Sequence, residues 1–403
     1  MAPLSGVRVI DLSQFEAGTS CTQILAWLGA EVIKIEPPGV GEQGRRASRD
    51  DPDRDSYYFL LLNASKKSAT INLRTDEGRA LFRRLIADAD VLVENFGPGT
   101  PERLGIDYES LSAVNERLVY ASVKGFDPNG PYGSFLSMDP IAQAAGGSIS
   151  ITGFPDGPPV RPGPTLADSG SGLSLCVGIL AALHQRAATG RGQRVSVVMQ
   201  EAVVNFNRIA FSRTLMEHGA PVRRSGNSVA LKTAPADLYP CAPGGDSDYV
   251  YIYVSRTPSS PHWNRLLDCI GRPDLVGDPR FATPEARGEH VELVTSIISA
   301  WTCRRTKDEA MAVLGAAGIP ASAVLDTAEL MNDPFLNSNG TFVTVKHAER
   351  GDVTMPGMPI RMSDHEPDIR AAPLLGEHTS QVLAGICGIA PDEIERLKSA
   401  RVI

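Results

Sequence analysis

Near its start the chain places an apolar run, an amphipathic run and a second apolar run in direct succession. That order restricts the fold more than any other feature. Residues 7–12 read as a strand, 19–28 as a helix stopped by Gly29, and 31–36 as a second strand. Strands separated by a helix run parallel, and parallel strands lie buried between covering helices. The alternation continues with a helix over 76–87, a strand over 91–94, a short helix over 108–115 and a strand over 118–123. The expected class is α/β, with a buried parallel sheet. Ligands of such sheets sit beside the carboxyl ends of the strands, so the turns at 95–99 and 125–133 are expected site walls. Glu36 ends the second strand where a dinucleotide fold carries its ribose-binding acid. The turn after the first strand, Ser13-Gln-Phe-Glu-Ala-Gly18, has one glycine where that fingerprint needs three, so NAD binding is not expected.

The chemistry is expected between Thr165 and Arg186. Asp168 is followed by four small residues, Ser169 to Gly172, and then by an apolar run whose Ala and Leu content favours a buried helix. Asp168 is expected at or just before the helix N-terminus, where a carboxylate caps free N–H groups and the helix dipole keeps it ionised. A cap has no use for Gly170 and Gly172, each of which costs a helix on the order of 1 kcal/mol relative to Ala. Their lack of side chains points to a turn that a large ligand approaches, with backbone N–H groups free to meet an oxyanion. An ionised, partly desolvated carboxylate beside such a turn can act as a nucleophile.

The totals bound the rest. A chain of 403 residues is long for one domain, and 42% hydrophobic with 21% charged residues is ordinary for a soluble globular protein. A net charge of −8 argues against nucleic acid or an anionic membrane as partner. No run of about 18 apolar residues is seen, so no membrane span is expected, and the start lacks the pattern of a secretory signal. Six cysteines without a C-x-x-C pair read as reduced thiols in a cytoplasmic protein. Seven histidines show no H-E-x-x-H, and no metal is expected.

Further along, 139–145 reads as a helix and 146–164 as a Gly/Pro-rich loop delivering Asp168. A strand over 194–199 leads into one long helix over 200–218, then a basic connector over 219–233. Composition shifts at a Tyr/Val/Ile-rich strand over 249–254, followed by helices at 262–269, 291–301 and 307–316. The expected division is a large domain over 1–218, a linker over 219–233 and a smaller α+β domain over 234–330. Residues 331–403 then carry a strand at 342–346 and two short helices after 377.

Asp168-Ser-Gly-Ser-Gly followed by Gly178-Ile-Leu-Ala-Ala-Leu183 resembles the active-site segment of the class III coenzyme A transferases. The likeness extends over nearly the whole chain. It takes in Pro3-Leu-Ser-Gly-Val-Arg-Val-Ile-Asp11, Leu28-Gly-Ala-Glu-Val-Ile-Lys-Ile-Glu36, Val93-Glu-Asn-Phe-Gly-Pro98, Gly190-Arg-Gly-Gln193 and Pro373-Leu-Leu-Gly-Glu-His378. The resemblance implies a Rossmann-like large domain formed by both ends of the chain, a small domain, and an interlocked homodimer. It also implies transfer of CoA from an acyl-CoA thioester to a free carboxylic acid, with Asp168 as the catalytic nucleophile. CoA is then substrate, and no tightly bound cofactor is implied. The positions matching the family's CoA contacts are Glu16, Ala17, Ile71, Arg74, Asn95, Phe96, Gly97, Arg103, Ser137 and Asp139.

The chain also departs from the family pattern. Glu16 stands where the family's formate/oxalate enzyme has glutamine, Leu136 replaces a lysine, and residues 43–50 lack a tryptophan. Arg45, Arg46 and Arg49 are a candidate grip on the second carboxylate of a dicarboxylic acceptor, and Lys66 with Lys67 a candidate phosphate patch. The family's racemases share the aspartate but need a histidine near residues 137–142; no histidine precedes Leu183. A silent CoA-binding protein is the other alternative.

Overall fold

The computed structural model describes residues 1–47, 50–254 and 260–403, which form two compact units. The first combines Met1–Gly147, Pro162–Arg208 and Phe335–Ile403; the second combines Ser148–Arg161 and Ile209–Pro334.

Six parallel strands make the sheet of the first unit. They are β1 (Arg8–Asp11), β2 (Glu31–Glu36), β3 (Lys67–Thr70), β4 (Val91–Glu94), β5 (Val119–Lys124) and β6 (Arg194–Val198). Their spatial order is β3-β2-β1-β4-β5-β6, with Val9 opposite both Val32 and Val91. Strand order reverses direction between β1 and β4, which opens a crevice at their carboxyl ends. In chain order the helices are α1 (Ala17–Trp27), α2 (Tyr57–Asn63), α3 (Asp76–Ala87), α4 (Thr100–Leu104), α5 (Tyr108–Ser112) and α6 (Asp139–Ala145). Then come α7 (Ser148–Ile151), α8 (Leu166–Thr189), α9 (Met199–Phe206) and α10 (Arg208–Met216).

Alternate strand residues point to opposite faces, so each face builds its own core. Val9, Val32, Val93 and Val119 meet Leu25 of α1 and Leu175 and Ile179 of α8. Ile10, Ile33, Leu92 and Tyr120 meet Phe82, Leu85 and Ile86 of α3 and Leu383 of the returning helix Thr379–Cys387. Fully burying one such side chain contributes about 1.5–3 kcal/mol. Among the described residues α8 is the one helix long and apolar enough to cross a membrane by length and composition, where the sequence reading expected a buried helix and counted no run of about 18 apolar residues. Within the first unit it packs along α1, β5 and β6, which accounts for its apolar character.

The second unit holds a three-stranded antiparallel sheet, Ala236–Pro240, Tyr249–Tyr253 and Ala321–Ala323. Its helices include His262–Cys269, Val291–Thr302 and Lys307–Ala316, packed through Trp263, Leu266, Ile298 and Leu314.

Three local expectations change. The single helix over 200–218 breaks at Asn207, which ends α9 as its C-cap and donates its side-chain amide to the Gly146 carbonyl at 2.9 Å. The boundary between units therefore falls after Arg208 instead of 218. Residues 148–161 contain α7 and group with the second unit, not with the large domain.

Candidate active site

Asp168 is the third residue of α8, inside its first turn, so it does not cap the helix. Nor does the residue at the cap position, Thr165, whose side chain makes no capping bond. The work is done from elsewhere. Asp139, the first residue of α6, accepts through Oδ1 from the N–H of Ala167 at 2.9 Å and of Asp168 at 3.4 Å. Gln143, one turn later, donates to the other oxygen of Asp139 at 2.6 Å. Glu16, just before α1, accepts through Oε1 from the hydroxyls of Thr165 at 2.5 Å and Ser169 at 2.6 Å. Two acids from two separate segments thus clamp the start of α8. The Asp168 carboxylate itself has no hydrogen bond or ion pair among the described residues.

This arrangement overturns the expectation that the helix dipole keeps Asp168 ionised. Burial, then the neighbouring charges of Glu16 and Asp139, push its pKa from 3.8 up to about 7. Desolvation and like charge both favour the protonated form, and here they outweigh the dipole.

The glycines also serve another purpose than the sequence implied. A Cβ on Gly170 would stand 2.2 Å from the Phe206 ring, and one on Gly172 would stand 2.1 Å from Ser20 Oγ and 2.6 Å from the Ala17 carbonyl. Both positions are filled by protein. They let α8 approach α9 and α1 closely, and both lie within the helical ladder, so they open no turn to a ligand.

Asp168 instead borders a cavity of about 890 Å³ at the carboxyl ends of β1, β4 and β5. Seven of the expected site residues line it together: Asp168, Glu16, Ala17, Asn95, Phe96, Gly97 and Ser137. The loops after β1 and β4 are locked by Asn95, which accepts from the Gln14 N–H and donates to the Gln14 carbonyl, each at 2.8 Å. Phe15, between Gln14 and Glu16, adopts a left-handed φ of 54° and donates its N–H to Glu42 at 3.2 Å. That conformation is uncommon for a bulky residue and marks a turn fixed by its surroundings.

Four expected contacts are not in the lining. Ile71 is 1% exposed and belongs to the apolar core. Arg74 and Arg103 are exposed outside the cavity, the latter donating to the Thr100 hydroxyl at 3.1 Å. Asp139 is buried behind the cavity wall as the cap of α8. Three of the basic residues proposed for anions, Arg45, Lys66 and Lys67, are likewise taken. Arg45 is buried, donating to both oxygens of Glu36 at 2.6 and 2.7 Å, so neither is free for a substrate carboxylate or a ribose. Arg46 is exposed, and Arg49 lies outside the described residues. Lys66 is buried, donating to Asp11 at 3.0 Å, to the Thr19 carbonyl at 3.0 Å and to Asn63 at 2.9 Å, and burial lowers its pKa to about 8. Lys67 pairs with Glu31 at 2.7 Å.

The structure adds Arg194 and Phe135, which the sequence did not single out, and brings Phe126 of the expected wall and Leu136 of the stretch matching the family's CoA contacts to the same cavity. Arg194, read only as the start of a strand, is exposed and lines the cavity. Phe126 and Phe135 also line it and pack edge to face, while Leu136 is 81% exposed at its rim. Their exposure is a tertiary property that no local pattern carries.

Residues 4–379 match the model of CoA-transferase family III. The chain is 43% identical to a formyl-CoA:oxalate CoA-transferase of Streptomyces avermitilis over 99% of both proteins. It is 40% identical to one of Escherichia coli O157:H7, over 100% of this chain and 99% of that protein. Among solved structures, a CAIB/BAIF family protein from Brucella suis superposes with a TM-score of 0.84 at 32% identity, covering 95% of this chain and 99% of that one. The chain belongs to CoA-transferase family III.

Proposed function

We propose that this CoA-transferase moves CoA from a short acyl-CoA thioester to a small carboxylic acid through covalent intermediates on Asp168. The observation that carries the reading is a carboxylate without polar partners among the described residues, bordering a cavity at the switch point of the sheet. The relatives' name points to formyl-CoA as a donor of the right size.

The ionised Asp168 attacks the thioester carbonyl and expels CoA thiolate, leaving an aspartyl–acyl anhydride. The thiolate then attacks the aspartyl carbonyl, which releases the donor acid and leaves an aspartyl–CoA thioester. The acceptor carboxylate attacks that thioester, forming a new anhydride and expelling thiolate. Attack of the thiolate on the acceptor's carbonyl gives the product acyl-CoA and restores Asp168. A nucleophile with a pKa near the working pH combines a usable ionised fraction with good reactivity. Arg194, without an ion-pair partner among the described residues, is the cavity cation we assign to a CoA phosphate. Phe135 and Leu136 offer apolar surface for the rest of the cofactor arm.

Incubation with acyl-CoA followed by hydroxylamine or borohydride should mark Asp168, read by peptide mass spectrometry. An unmarked Asp168 under turnover would refute the covalent route. Exposed apolar side chains on α8 and α9, namely Leu173, Val177 and Phe206, support a homodimer. Sedimentation as a 43.0 kDa particle at micromolar concentration would remove that assignment. All six cysteines are free, which fits a reducing cytoplasm.

A further inference from the structure

We propose that Glu42 is a positioning residue for the reaction: it fixes the turn at Phe15, and through that turn the place of Glu16 beside Asp168. The proposal rests on the covalent reading of Asp168 above.

Glu42 follows β2 in the chain and is 4% exposed. A buried carboxylate is tolerated where it is paired and hydrogen-bonded. Its Oε2 accepts from the N–H of Gly44 at 2.7 Å and of Phe15 at 3.2 Å, and its Oε1 lies 3.8 Å from the Lys34 ammonium. The bond to Gly44 is local. The bond to Phe15 ties the loop after β2 to the loop after β1, 27 residues earlier.

That earlier loop is held along its backbone. Asp11 accepts from the Ser13 N–H at 2.8 Å, Lys34 donates to the Ser13 carbonyl at 2.7 Å, and Asn95 takes both backbone groups of Gln14. With Glu42 on the Phe15 N–H, every backbone polar group from Ser13 N–H to Phe15 N–H is held by a side chain. The hold matters most at Phe15, whose φ of 54° a bulky residue keeps only where its surroundings impose it. Gln43, beside Glu42, adds a second tie between the loops, donating to Gln14 Oε1 at 3.0 Å.

Glu16 comes next in the chain, at the cap position of α1. A change in the Phe15 dihedrals would swing its carboxylate away from the hydroxyls of Thr165 and Ser169, on the turn that carries Asp168. Burial, Glu16 and Asp139 are what raise the Asp168 pKa, so loss of Glu42 reaches the nucleophile through the displacement of Glu16.

The test is single-turnover acylation of Asp168 by formyl-CoA as a function of pH. Glu42→Ala should lower the midpoint of the rise by about one pH unit and the plateau about tenfold. Glu42→Gln keeps an oxygen for the Phe15 N–H and should retain the wild-type midpoint. A Glu42→Ala rate that falls evenly at every pH, or a Glu42→Gln midpoint that drops as far, overturns the proposal. Residue-resolved hydrogen exchange on the wild type needs no variant to fold: the Phe15 N–H should exchange at least about 100-fold more slowly than a free amide, and free exchange there overturns the proposal as well. Asp168→Ala separates the two claims. If it still exchanges CoA, the covalent reading fails, whereas the protection of the Phe15 N–H judges Glu42.

Discussion

Replacing Asp168 with asparagine should make the protein more stable at pH 8 while abolishing exchange. In the folded chain the carboxyl titrates at about 7 instead of 3.8, because burial and the charges of Glu16 and Asp139 oppose its ionisation. An acid whose folded pKa is raised binds protons more tightly when folded, so its ionisation destabilises the native state. The penalty is absent below about pH 4, grows between pH 4 and 7, and is complete above 7. At about 1.36 kcal/mol per pH unit the upper bound is about 4 kcal/mol. The carboxyl is partly open to the solvent of the cavity, and screening cuts this to about 2 kcal/mol. For a unit of this size that corresponds to a Tm gain of about 4–8 °C. Thermal unfolding of wild type and Asp168→Asn at pH 8, 6 and 4 measures it. The advantage should be largest at pH 8 and vanish at pH 4. An advantage independent of pH, or a variant less stable at pH 8, would refute the reasoning.

Other substitutions probe the same frame. The rate of Asp168 acylation should rise tenfold per pH unit below about 7 and level off above it, and Asp139→Asn should move the rise to lower pH in single-turnover kinetics. Gly172→Ala, whose new methyl meets the Ala17 carbonyl at 2.6 Å, should cost about 1–3 kcal/mol in denaturant unfolding and slow exchange about 100-fold. Gly178→Ala meets only the Val195 side chain at 2.7 Å and should cost less in both assays; equal losses would contradict the packing argument. Lys66→Met should destabilise by about 3–5 kcal/mol in the same unfolding assay, since it strands Asp11 in the interior with Lys34 3.9 Å away.

The parallel sheet was legible because its central strands are continuous apolar runs and its first helix is bounded by Gly29. The strand Lys67–Thr70 escaped notice because Lys-Ser-Ala-Thr carries no apolar run; it lies at the sheet edge, beside β2. Asp168 could be found from its neighbours in sequence, but its chemistry could not. Its pKa comes first from burial and then from Glu16 and Asp139, more than 25 residues away in either case. For the same reason Arg45 and Lys66 looked like free cations. Their partners Glu36 and Asp11 occupy separate strands, and only folding brings them within reach. Gly170 and Gly172 were noticed for a sound reason, the cost of glycine in a helix. What compensates that cost is contact with Phe206 and Ala17, which lies beyond local sequence.

Because Asp139 and Glu16 grip the beginning of α8 directly, the placement of Asp168 does not depend on the chain that leads into it. The stretch between Ala145 and Thr165 can lengthen, shorten or change composition over evolutionary time while the reacting oxygen stays where it is. In such a lineage the two anchoring acids are the part that drift must spare.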